Sequence, residues 1–205
     1  DGSIIKNLNT IKSSSDEFNI RIEQLETNYA DEFKDIRDTT SNALISLLTS
    51  ISNLNSNMSL YSNDGKLEEE EKSQIESDIS NIMTQLTNTT DVVNELTTIL
   101  NSNNQDTYKQ SLTNAFTNVN TSVNSLITLG NSIISDSTLN YSEMTTLTRS
   151  VGESSKYVNV LKATCDEIML LGLGGTIYDQ FSQLKLLNDR FQTTVKEIQY
   201  STTNS

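Results

Sequence analysis

The chain has 205 residues and contains no proline, no histidine and no tryptophan; it has one cysteine, 34% apolar residues and a formal net charge of −13. Without histidine there is no Ser/His/Asp triad, no imidazole base and no His metal ligand, and a lone cysteine excludes an internal disulfide framework and a multi-Cys zinc site. So acidic a balance also lacks the basic footprint of a nucleic-acid binder.

A chain of this length would ordinarily hold about ten prolines. Their absence favours long helices, because proline inside a helix costs about 3 kcal/mol. Asn, Ser and Thr fill 78 positions. Such polarity could signal disorder, but the apolar residues that remain are regularly spaced, as disordered segments are not. The longest uncharged stretch, residues 110–135, has only ten apolar residues in 26. That falls short of the roughly 20 predominantly apolar residues of a membrane span. The opening Asp1-Gly2-Ser3 has neither the basic start nor the apolar stretch of a signal peptide. With no initiator methionine, the sequence is expected to be a piece of a longer chain.

Steps of three and four from Ile4 land on Leu8, Ile11, Ser15, Phe18, Ile22, Leu25, Tyr29 and Phe33. They continue through Ile36, Thr40, Leu44, Leu47, Ile51, Leu54, Met58 and Tyr61. Sustained spacing of this kind is a coiled-coil seam. It predicts one helix of nearly 60 residues, roughly 85 Å long at 1.5 Å per residue. Paired steps of four near Leu25–Phe33 shift the seam and place a bend, if there is one, near Asn28–Asp31. Ser62-Asn-Asp-Gly65 is a turn signal. A second stripe runs Leu67, Glu71, Ile75, Ile79, Ile82, Leu86, Val93, Leu96 and Leu100, up to the break at Asn101-Ser-Asn-Asn104. A third runs Tyr108, Leu112, Phe116, Val119, Val123, Leu126, Leu129 and Ile133, up to Ser135-Asp-Ser137. A fourth runs Met144, Leu147, Val151, Val158, Leu161, Cys165, Ile168 and Leu171, and ends at the glycines 172, 174 and 175. The fifth runs Ile177, Phe181, Leu184, Leu187, Phe191, Val195 and Ile198, before a polar tail expected to fray. No run has period two, so the fold expected is all-α, an elongated antiparallel helical bundle with one long N-terminal helix and about four shorter ones.

A weak repeat underlies these stripes. Asp64-Gly-Lys-Leu67 matches Asp136-Ser-Thr-Leu139 at an offset of 72, and Asp1-Gly-Ser-Ile4 matches at 63. The chain then divides as 1–62, 63–135 and 136–205 within a single domain, each part a helical hairpin of about 63–73 residues. In the first part the hairpin is straightened into the long helix.

Four places invite a chemical reading, and each has a plainer one. Asp64-Gly-Lys-Leu-Glu-Glu-Glu-Glu71 resembles the second half of a calcium loop, but Leu60 and Ser62 stand where its first ligands should be. A turn followed by an acidic first helical turn explains it without an ion. Glu68 to Glu71 point in different directions around a helix and form a solvated face rather than an acid–base pair. Cys165 lies on the apolar stripe and behaves as a small core residue, since no histidine is there to activate it. Gly172-Leu-Gly-Gly175 follows a helix and lacks the Gly-Lys-Ser/Thr ending of a phosphate loop, so it reads as a helix stop. No catalytic, cofactor-binding or metal residue is therefore assigned, and the chain is expected to be no enzyme. The apolar segment 168–177 could instead be a membrane-active tip.

The string Asn63-Asp-Gly-Lys-Leu-Glu-Glu-Glu-Glu-Lys72, followed by Ile75 and Ile79, resembles an element of tail-tip, baseplate and tail-fibre proteins of phages of Gram-positive bacteria. Their helical units open Asp-Gly-Lys-Ile/Leu-Thr-Pro-x-Glu-Lys. Glu68 and Glu69 replace the capping Thr and the Pro, while Glu71 and Lys72 are kept. The copy keeps Asp136, Leu139 and Glu143, with Ser137 for Gly and Met144 for Lys. The resemblance implies a structural spacer or binding module of the virion, located in the phage tail and concerned with host attachment. It implies as partners other tail or baseplate proteins or further copies of the chain, with a trimer through Ile4 to Ile22 as one arrangement, and neither nucleic acid nor membrane. A secreted helical-bundle toxin of the pore-forming type, with 168–177 in the membrane, is the competing reading. The later helices are expected to fold back along the long one, leaving its N-terminal stretch to outrun them.

Overall fold

A computed structural model describes the backbone of residues 2–170 and 176–204; the side chains of residues 5, 176–178, 202 and 203 fall outside that description. The described residues are 92% helical. Five helices follow one another: α1 (Gly2–Tyr61), α2 (Glu69–Ser102), α3 (Asp106–Asp136), α4 (Tyr141–Glu167) and α5 (Thr176–Thr203). Among the described residues there is no strand, only an isolated antiparallel bridge between Lys66 and Thr138. The all-α bundle read from the stripes is what forms, and α1 is helical without interruption through Asn28–Asp31. Helix α5 continues into the polar tail as far as Thr203.

The chain separates into two compact units, 1–35 with 173–205 and 36–172. In the second unit, α3 packs against both α2 and α4. The C-terminal half of α1 joins them by burying Leu44, Leu47, Ile51, Leu54 and Met58 completely. Asn57 of α1 donates to the buried Asp78 of α2 (2.7 Å), and Gln74 also donates to this carboxylate (3.1 Å). Within this unit, short connections make successive helices antiparallel. Helices α2 and α3 approach each other closely at Gly130, where a Cβ would lie 2.8 Å from Cδ1 of Ile79.

The stripes predict most of this core, with two shifts. Ala115 and Ile127 turn inward on α3, while Phe116 and Leu129 are half-buried. The seven-residue gaps in the second and fourth stripes are filled by Thr89 and Ser154, both fully buried. Thr89 donates to the Gln85 carbonyl (2.8 Å). Ser154 Oγ has no hydrogen-bond partner among the described residues.

In the first unit α1 and α5 run antiparallel, as shown by bonds from Gln199 to Asn9 and from Gln192 to Asp16, both 2.8 Å. Ile4 to Ile22 is thus not left bare. Leu8, Ser15 and Ile22, seven residues apart, are buried, and so are Asn188 and Val195, also seven apart on α5.

Candidate functional site: a one-sided helix pair

The Asp-Gly turn and its copy have the same local structure. Asp64 accepts a bond from the backbone N–H of Lys66 (3.1 Å), and Asp136 accepts one from that of Thr138 (3.0 Å). Gly65 and Ser137 both adopt left-handed backbone, with φ of 75° and 61°. Leu67 and Leu139 are both buried at the entry to a helix. The two turns also pair with each other. Leu67 N–H donates to the Ser137 carbonyl (3.0 Å), and Leu139 N–H donates to the Gly65 carbonyl (3.2 Å).

Capping follows. Glu71 accepts from the Glu68 N–H (2.9 Å), which retains half of a capping box although the capping Thr is missing. At the copy, Asn140 accepts from Glu143 N–H (3.0 Å) and Glu143 accepts from Asn140 N–H (2.8 Å), completing the box. The Asp136 carboxyl is held below the usual carboxylate range, first by the Thr138 N–H and then by its hydroxyl (2.9 Å). Within the calcium-like string Asp64 is thus a turn acceptor and Glu71 a cap acceptor, and Glu69 pairs with Lys72 (2.7 Å). Among the described residues no three His, Cys, Asp or Glu side chains come together as a metal site.

Cys165 is buried, and that burial pushes its thiol up to about 12, with Asp166 adding to the rise and Lys162 opposing it. At ordinary pH it is a protonated core side chain. The chain widens into a π-helical turn at 168–170, with Ile168 and Met169 buried and Leu170 exposed. The rest of the segment 168–177, including the glycines at 172, 174 and 175, lies outside the described residues or their side chains. Among the described residues no helix is long and apolar enough to cross a membrane.

What remains is the helix pair of the first unit, whose two flanks differ. Its seam contains a buried polar pair: Ser15 Oγ donates to Asn188 Oδ1 (2.7 Å), and Asn188 Nδ2 donates to the Ser15 carbonyl (3.2 Å). One flank of the seam is polar and closed. Lys185 bonds Glu26, Gln192 bonds Asp16 and Gln199 bonds Asn9. The Glu26 carboxylate raises the Lys185 ammonium above its ordinary value. At the far end of the pair Tyr29 packs on Phe181, with ring centroids 6.3 Å apart.

The other flank is apolar and open. Ile4, Ile11, Phe18 and Leu25 repeat every seven residues on α1, and Leu184, Phe191 and Ile198 do so on α5. Together with Leu187 these side chains are between 41% and 60% exposed. The centre of this flank is a groove of about 470 Å³ with the Ser15–Asn188 pair among its lining residues and no charged residue in it.

The fifth stripe placed Leu187 in the seam and passed over Asn188. The structure reverses them, exposing Leu187 and burying Asn188. The signal for Asn188 was its seven-residue spacing from Val195. Comparison with protein-family models, with curated proteins and with solved structures finds no match to the chain.

Proposed function

We propose that the chain is a non-enzymatic structural spacer or binding module of a phage tail or baseplate, concerned with host attachment. One observation supports this reading most. The Asp-Gly-Lys-Leu string that carries the resemblance works here as a structural joint: it pairs with its own copy, and each of the two opens a long helix of the same bundle. Asp64 serves the turn and Glu71 the cap, while Glu69 pairs with Lys72. The function would then be mechanical. Packed helices hold an attachment point and a receptor-binding part at a set spacing, and specificity lies in docking surfaces.

The competing toxin reading is tested by dye release. Anionic and zwitterionic vesicles loaded with carboxyfluorescein should leak no more with the purified chain than with an inert protein of similar size. Dose-dependent release would overturn the spacer reading.

A further inference from the structure

We infer that the apolar flank of the α1–α5 pair binds the same flank of a second copy of the chain, so that two helix pairs close into a four-helix bundle. A two-stranded coiled coil needs a narrow apolar seam, whereas a helix in a four-helix core needs a wider stripe. On α1 the row Leu8, Ser15, Ile22 faces α5, and a second row, starting at Ile4, is offset from it by four residues and turned aside. On α5 the row of Asn188 and Val195 faces α1, and a second row, Leu184 and Phe191, is offset in the same way. Both second rows open to one side, where they line a single groove. On the opposite side the corresponding positions are polar and already bonded to each other. The pair is therefore half of a bundle, complete on one side.

Area and charge select the occupant. At roughly half exposure, the eight apolar side chains leave about 800 Å² of apolar surface, which is one partner's share of a standard interface. It exceeds the largest apolar patch of an ordinary monomer, about 300–600 Å². An uncharged groove offers nothing to recognise a charged ligand or a lipid headgroup. A matching two-row apolar face is what it fits, and a two-fold axis through the groove supplies one, because the same patch then meets itself. Repulsion between copies is modest at this site. This unit carries seven Lys and Arg against eleven Asp and Glu, a net −4 of the chain's −13. The buried Ser15–Asn188 pair fixes the register of α1 against α5, the role polar seam residues have in coiled coils. Because α5 already covers one side of the seam at Ile4 to Ile22, the assembly is a dimer of helix pairs rather than a trimer of single helices.

Sedimentation equilibrium or light scattering on the full chain tests this. The expected mass is twice the 22.8 kDa of one chain. Phe18→Glu or Leu187→Glu should weaken the dimer by about 30-fold or more with the helical circular dichroism unchanged. Leu187→Glu keeps the test decisive should Phe18→Glu disturb the α1–α5 pair, since Leu187 lies outside its seam. Ile20→Glu, at an exposed position away from the groove, should leave the dimer intact. A monomer at high micromolar concentration, a trimer, or a dimer indifferent to both groove substitutions while sensitive to Ile20→Glu would overturn the proposal.

Discussion

Replacing Gly130 with alanine sets two effects of known sign against each other. Alanine is favoured over glycine in a helix interior by about 1 kcal/mol. A Cβ at 130, however, would sit 2.8 Å from Cδ1 and 3.3 Å from Cγ1 of Ile79, where carbon–carbon contacts prefer about 3.5–4.0 Å. Ile79 is buried, so it can retreat only by displacing its neighbours. Overpacking of this kind costs about 1–3 kcal/mol, and Gly130→Ala should therefore be neutral to about 2 kcal/mol destabilising. Gly152 provides the control: it lies inside α4, and a Cβ there meets nothing within 4 Å. Gly152→Ala should stabilise by most of the ~1 kcal/mol of helix propensity. Ile79→Val alone should cost about 0.5–1.5 kcal/mol. Combined with Gly130→Ala it removes the clashing methyl, so the double variant should be more stable than the sum of the singles by about 1–2 kcal/mol. Urea unfolding followed by far-ultraviolet circular dichroism measures all four variants. If Gly130→Ala stabilises as much as Gly152→Ala, or if Ile79→Val simply adds to its cost, the close approach of α2 and α3 is refuted.

Three further outcomes are expected. Ser137 holds left-handed backbone (φ 61°) where the matching turn has glycine; this costs a non-glycine residue about 1–2 kcal/mol, partly offset by glycine's extra unfolded freedom of about 0.5–1 kcal/mol. Ser137→Gly should thus raise the urea midpoint and Gly65→Ser lower it; the opposite order would show the turns to be unlike. The Cys165 thiol rises from 9.0 to about 12 on folding, so above pH 9 the unfolded chain releases a proton that the native chain keeps. Stability should fall between pH 9 and 12 by up to ~1.4 kcal/mol per pH unit, and the slope should be shallower in Cys165→Ala; equal slopes would contradict the burial. Because Asp64 and Glu71 already accept backbone bonds, melts with calcium and with a chelator should coincide. A midpoint raised by calcium would show an ion at that turn.

The helices were legible because spacing of three and four residues is a property of the chain itself. Which row of a helix faces its neighbour was not legible where two adjacent rows are both apolar. On α5, Leu187 is the more hydrophobic choice for the seam, yet Asn188 takes it. Facing Ser15, it satisfies both polar groups in two bonds, a pairing that depends on a residue 173 positions away. Thr89 was hidden for a related reason: its hydroxyl bonds the Gln85 carbonyl of its own helix, which lets a polar residue fill a core gap. The open flank was present in the sequence as the stripe itself. The sequence does not show that α5 would lie on the row of Leu8 and leave the row of Phe18 uncovered.

The structural-spacer account is tested most directly on particles. Tailed particles from a culture carrying the gene would be purified through a density gradient, washed in high salt, and labelled with gold-conjugated antibody raised against the chain. The account predicts that the chain stays with intact tails and that gold marks their distal end. Recovery of the chain only as free protein in the medium, with unlabelled tails, would contradict it.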